Sequence, residues 1–133
     1  MKLNVRAVIY GFVATVIVGL LSGAVVPFTD MSLPAVGYGL TGVIGGLVAG
    51  YVAGGSLGNG ALNGGVATIV GALVALVILT LIGTLAAGLL GVGIFVAGIV
   101  LLVVAAIPGA VGGAIGAWAK GRSETRMTGR PTA

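Results

Sequence analysis

Read by hydropathy, the chain is a series of four long apolar runs parted by three short breaks: Ala7–Val26, Ala35–Ala53, Gly65–Leu85 and Val92–Trp118. Each run is near or above the roughly 20 residues that a helix rising 1.5 Å per residue needs to cross a hydrocarbon core of about 30 Å. The breaks carry turn chemistry. Pro27 to Pro34 (PFTDMSLP) holds two prolines, Asp30 and Ser32, a mix that ends one helix and offers an N-cap to the next. Gly54 to Gly64 (GGSLGNGALNG) is punctuated by glycine and asparagine, and it reads as a flexible turn in which Asn59 and Asn63 cap or hydrogen-bond neighbouring backbone. Thr84 to Gly91 is short and built of small residues. The pattern predicts an all-α integral membrane fold: four transmembrane helices, arranged as two tandem helical hairpins packed as a bundle, within residues 1–119.

Charge sharpens this picture. Between Ala7 and Thr29, and again between Met31 and Ala119, no side chain is charged. Lys2 and Arg6 open the chain, Lys120, Arg122, Glu124, Arg126 and Arg130 close it, and Asp30 stands alone between. A chain that is 59% hydrophobic and 6% charged lies far from the roughly 25% charged residues of soluble globular proteins, so a soluble fold is excluded. In a soluble protein the net charge of +4 and pI near 10.2 would point to nucleic acid. Here every cation flanks an apolar run, so the charges mark orientation and no nucleic-acid partner is expected. Four crossings with basic residues at both ends place both termini on the cytoplasmic side of a plasma membrane and the Asp30 loop outside. Tyr10, Tyr51 and Trp118 then fall at the inner interface as anchors, and Phe28, Tyr38 and Phe95 at the outer one. Lys2 and Arg6 followed by an apolar run and Ser22, Gly23 and Ala24 also have the layout of a secretory leader, but the run exceeds the about 7–15 residues of a leader's apolar region. The tail from Lys120 to Ala133 is polar, contains glycine and proline, and is expected to be disordered.

Glycine sets how the helices meet. Gly42, Gly46, Gly50, Gly54 and Gly58 recur every fourth residue, the membrane-embedded ones making one smooth stripe down the second run, as do Ala105, Gly109, Gly113 and Ala117 on the last run. Lipid offers little hydrophobic drive between helices, so close van der Waals contact must hold them together, and small residues allow it. The helix-packing positions are therefore Gly42, Gly46, Gly50, Gly54, Gly109 and Gly113. They act within one chain, or else one stripe faces outward to build a homo-oligomer or larger membrane complex. The segment Gly42 to Gly54 aligns without a gap on Gly109 to Gly121, and Gly11 to Gly23 more weakly on Gly71 to Gly83. This reads as a duplicated hairpin with both copies entering from the same side, related by an axis along the membrane normal. Pro108, inside the last run, removes the bond to the carbonyl of Val104 and predicts a kink.

Reactive chemistry is sparse. The chain has no Cys and no His, which removes disulfides, thiolate chemistry and the commonest general base and metal ligand. Asp30 and Glu124, the two carboxylates, are expected on opposite membrane faces and have no partner for acid–base work. No catalytic, cofactor-binding or metal-ligating residue is assigned and no cofactor is expected. Gly58 to Gly64 superficially resembles a dinucleotide loop, but no strand precedes it and no acidic residue follows about 20 residues on. Thr15, Thr41, Thr68 and Thr80 either line a narrow polar path or bond the carbonyl of the preceding turn. The tail arginines suit anionic lipid headgroups at about 1 kcal/mol each, in addition to marking topology. A non-enzymatic structural or accessory membrane subunit is the reading these residues favour, with a small channel or passive permeation unit as the alternative.

Taken together, Gly45-Gly-Leu-Val-Ala-Gly50-Tyr-Val-Ala-Gly-Gly55 and Gly58-Asn-Gly-Ala-Leu-Asn-Gly64 resemble a family of small four-span, glycine-rich membrane proteins of halophilic archaea. The resemblance covers essentially the whole chain and implies an archaeal plasma membrane. That family has no assigned activity to carry over. Its members often hold an acidic residue in the middle loop, where Asn59 and Asn63 stand here.

Overall fold

The structure, a computed structural model, describes residues 1–25 and 33–129. Among these the fold is all-helical: α1 (Val5–Val25), α2 (Leu33–Ala53), α3 (Leu57–Ala87) and α4 (Leu90–Thr128). Phe28, Asp30 and most of the first break lie outside the described residues.

The second break is far shorter than the glycine and asparagine pattern predicts. It shrinks to Gly54, Gly55 and Ser56, the two glycines taking φ of +61° and +77°, a region that other residues rarely enter. Ser56 then starts α3 as its N-cap, its Oγ accepting from the Asn59 amide at 3.3 Å. The supposed flexible turn Gly58 to Gly64 is thus the first two turns of α3. Each helical glycine costs about 1 kcal/mol relative to alanine, and tertiary contact overrides that cost here. A Cβ on Gly60 or Gly64 would run into the Gly113 and Gly109 backbone of α4, so these glycines are the means by which two helices touch. At the third break the expectation holds more closely. Gly88 (φ +59°) ends α3 by donating to Thr84 O at 2.9 Å, and Gly91 folds tightly over Thr84.

Contacts along the helices give their directions. Gly11 of α1 lies against Ala49 and Gly45 of α2, Gly46 and Gly50 of α2 against Gly109 and Gly113 of α4, and Gly60, Gly64 and Leu76 of α3 against Gly113, Gly109 and Gly98 of α4. Neighbours in sequence are therefore antiparallel, while α1 runs with α3 and α2 with α4. The helices α2 and α3 are central: α1 touches both, α4 touches both, and α1 does not reach α4 among the described residues. This arrangement agrees with two hairpins of the same direction but not with an exact two-fold relation between them, because α2 meets α3 with no counterpart contact between α4 and α1. The aligned glycines also do different work. Gly45 packs on Thr15 of α1 whereas Gly112 packs on Val43 of α2, and Gly54 ends a helix whereas Gly121 sits inside one.

Burial is inverted relative to a protein built for water. The interior is glycine with Ala7, Ala49, Ala67, Ala117 and a single large aliphatic residue among those described, Leu76, together with Thr41, Asn63 and Thr68, and the largest side chain fully buried is Asn63. Large aliphatic side chains point outward all along the helices, among them Ile17, Ile78, Leu81, Val100, Val103 and Ile107. Leu57–Ala87 and Leu102–Met127 are long and apolar enough to cross a membrane, and Val5–Gly19 and Gly39–Ala53 are shorter apolar helical stretches.

One further expectation is corrected. The helix α4 continues to Thr128, so Lys120 to Thr128 is helix and not a disordered tail. Ser123 and Thr125 bond back to Ala119 O and Gly121 O at 3.1 and 2.9 Å, and the run lacks proline until Pro131, so helix can continue through Gly121. Pro108 lies inside α4, which remains helical across it, and its ring packs on Gly42.

Candidate functional site at the basic end

Chain direction brings the N-terminal segment and the late described part of α4 to one place. The Lys2 amide donates to Asn59 Oδ1 at 2.9 Å, and Lys120 Nζ donates to Val52 O at 3.4 Å. The N-terminal segment and the late part of α4 thus both meet the turn between α2 and α3. With them come Arg6, Arg122 and Arg126, so the described cations gather at one end of the molecule. Lys120 also sits at the C-terminus of α2, where the helix dipole favours a cation.

Asn63 is the polar centre of this end. Fully buried, it accepts from the Asn4 amide at 2.7 Å and donates through Nδ2 to Lys2 O at 3.1 Å and to Asn59 O at 2.8 Å. Asn59 in turn donates to Gly54 O at 3.1 Å, satisfying a carbonyl beyond the end of α2. Asn4 Oδ1 accepts from the Ala7 amide at 3.4 Å and caps α1. A buried amide with one acceptor and two donors engaged is strongly oriented, because leaving any of them unpaired costs about 1–3 kcal/mol. Composition alone reads these asparagines as turn residues. Their spacing of four, which sets both on one helical face, is the signal that could have shown them as a clamp on the N-terminus.

The glycine positions named from sequence divide into two kinds. Gly46 and Gly50 press on the backbone of Gly109 and Gly113, and Gly42 rests on Thr68 and Pro108. Both partners lie in the same chain. Gly54 is corrected: at φ +61°, beside Lys120, it is a turn residue that closes α2 by donating to Gly50 O, and Gly58 beyond it belongs to α3 and meets Met1. Of the threonines, Thr15 and Thr68 return their hydroxyls to Gly11 O and Gly64 O at 2.8 and 3.0 Å. Tyr10, Tyr51 and Trp118 are all exposed and lie towards the basic end, since Gly11 is level with Ala49 and Gly116 with Tyr51.

An open groove of about 660 Å³ lies where α3 begins and α4 passes it, walled by Ser56, Leu57, Trp118, Arg122, Thr125 and Arg126 with Gly55, Ala117 and Gly121 as its floor. The Arg122 guanidinium stacks on the Trp118 ring, 3.9 Å from its centre. Beside it is a second hollow of about 310 Å³, bounded by Leu57, Ala114, Ile115 and Trp118 and without a polar wall. Neither hollow is evident from sequence, because both depend on α3 starting at Leu57 beside α4, and the larger one also on α4 running on as a helix past Lys120.

A family model described as "Family of unknown function (DUF5518)" matches residues 5–119, and the chain belongs to that family. No curated protein and no solved structure matches the chain.

Proposed function

We propose that this member of the DUF5518 family is a non-enzymatic, multi-pass membrane protein in which all four helices cross the bilayer and pack as a compact bundle through glycine, serving as a structural or accessory component. The observation that carries this reading is the inverted burial: glycine, alanine, threonine, one asparagine and Leu76 inside, nearly all the other large aliphatic side chains outside or part-exposed. In water each such exposed side chain would forgo about 1.5–3 kcal/mol of burial, and a glycine-rich interior has nothing comparable to set against it. In lipid the same surface is solvated, and the small interior is what allows helices to approach. Both termini face the cytoplasm in this reading, because the cations of both ends collect around the turn between α2 and α3. The aromatic rings of Tyr10, Tyr51 and Trp118 mark the interface just inside them.

The test is fractionation. After membranes carrying the protein are washed at alkaline pH and with urea, the chain should stay in the pellet and dissolve only with detergent. Recovery in the detergent-free supernatant would sink the membrane reading.

A further inference from the structure

We propose that the groove at the basic end binds a membrane phospholipid, its anionic phosphate held between Arg122 and Arg126 and its acyl chain lying along Leu57, Ala114 and Ile115. The inference deepens the membrane reading above and rests on it.

Two independent features coincide here. The first is the charge of the larger groove. Arg122 and Arg126 are four residues apart on α4 and so lie on one helical face, both in the wall of the 660 Å³ groove. A guanidinium presents a planar fork of donors that matches a phosphate in a bidentate way. Arg122 is steadied by the face of Trp118 at 3.9 Å, while Ser56 and the start of α3 form the opposite wall and add the positive end of a helix dipole. Glu124, on the same stretch of α4, is not among the lining residues.

The second feature is the hollow that adjoins it. Leu57 and Trp118 belong to both, and from them the 310 Å³ hollow follows α4 back through Ile115 and Ala114, towards the middle of the helix, with apolar walls throughout. A soluble phosphate needs only the first hollow. A phospholipid needs both, in this order: charge beyond the tryptophan ring, hydrocarbon on the membrane side of it. The order matches the interfacial level at which tryptophan settles. Bound in this way, the lipid would bridge the turn between α2 and α3 to the protruding end of α4.

The full chain, purified in mild detergent and stripped of lipid, can be titrated with phosphatidylglycerol and read by native mass spectrometry, with zwitterionic phosphatidylcholine and inorganic phosphate as the other arms. Wild type should hold phosphatidylglycerol about tenfold or more tightly than phosphatidylcholine, and inorganic phosphate at equal concentration should not displace it. Arg122→Gln/Arg126→Gln, at exposed positions, should lose the preference while melting as wild type does. Ala114→Trp, which fills the apolar hollow and leaves both arginines, should weaken binding of both lipids. Equal retention of phosphatidylglycerol by the double variant, equal binding of the two lipids by wild type, or displacement by inorganic phosphate would each overturn the proposal. In all these arms the chain stays in the alkaline-washed pellet, so failure of the groove is distinct from failure of the membrane reading.

Discussion

Replacing Gly46 by alanine should separate α2 from α4, and the size of the effect can be worked from the backbone. A Cβ at Gly46 would lie 2.8 Å from the carbonyl carbon of Gly109 and 2.9 Å from its Cα, with the carbonyl oxygen closer still. Carbon atoms prefer about 3.5–4.0 Å, so a gap of roughly 0.7–1 Å must open. Nothing can rotate out of the way, because every atom met is backbone. Overpacking of this kind costs about 1–3 kcal/mol. Part of that is hidden in a single variant, since alanine is the better helix former by about 1 kcal/mol. Gly93→Ala supplies the reference: it too lies inside a helix, and a Cβ there meets nothing within 4 Å. The propensity gain is then common to both, and the difference between the variants isolates the contact at about 1–3 kcal/mol. Denaturant unfolding in detergent, followed by the fluorescence of Trp118, the sole tryptophan, reads that difference directly. Equal stability of Gly46→Ala and Gly93→Ala would refute the close packing of α2 on α4.

Other expectations follow from the basic end. Asn63→Ala removes the acceptor for the Asn4 amide and both donors to carbonyls, so residues 1–4 should come loose, with faster amide exchange at Asn4 and an overall loss of about 1–3 kcal/mol; unchanged exchange would refute the clamp. Ser56→Ala removes the N-cap of α3 and should cost about 0.5–2 kcal/mol in the same unfolding assay, whereas Ser56→Asp should retain it. Purified protein in liposomes should give no flux of K⁺, Na⁺ or Cl⁻ above empty vesicles, because Thr15 and Thr68 spend their hydroxyls on neighbouring carbonyls and an unsolvated ion meets a penalty of many kcal/mol. Protein-dependent flux abolished by Gly50→Leu would favour the channel alternative instead.

The helices themselves were legible in the sequence because hydropathy and length act locally. So were the glycine faces of Gly46 and Gly109, since period-four glycine leaves a face that only another backbone can fill, although which face meets which is set by the fold. The middle break hides its structure for a physical reason. Gly58, Gly60 and Gly64 have the composition of a turn, and nothing local distinguishes a glycine that bends the chain from one that lets α4 approach. The role of Asn63 was hidden likewise: its partners, Lys2 and Asn4, are some sixty residues away in sequence. The helical character of Lys120 to Thr128 lost out to its polar composition, although no proline interrupts it. The alignment of the two hairpins overstated their equivalence, because matched glycines such as Gly45 and Gly112 face different helices.

The central claim is that four helices cross the bilayer with the basic end inside. The chain lacks cysteine, so single cysteines can be placed at Asp30 in the first break and at Met127, which is 80% exposed on α4, and probed in intact cells with a membrane-impermeant maleimide. Asp30→Cys should react at once, and Met127→Cys only after the membrane is permeabilised. Labelling of Met127→Cys in intact cells, or protection of Asp30→Cys, would contradict it.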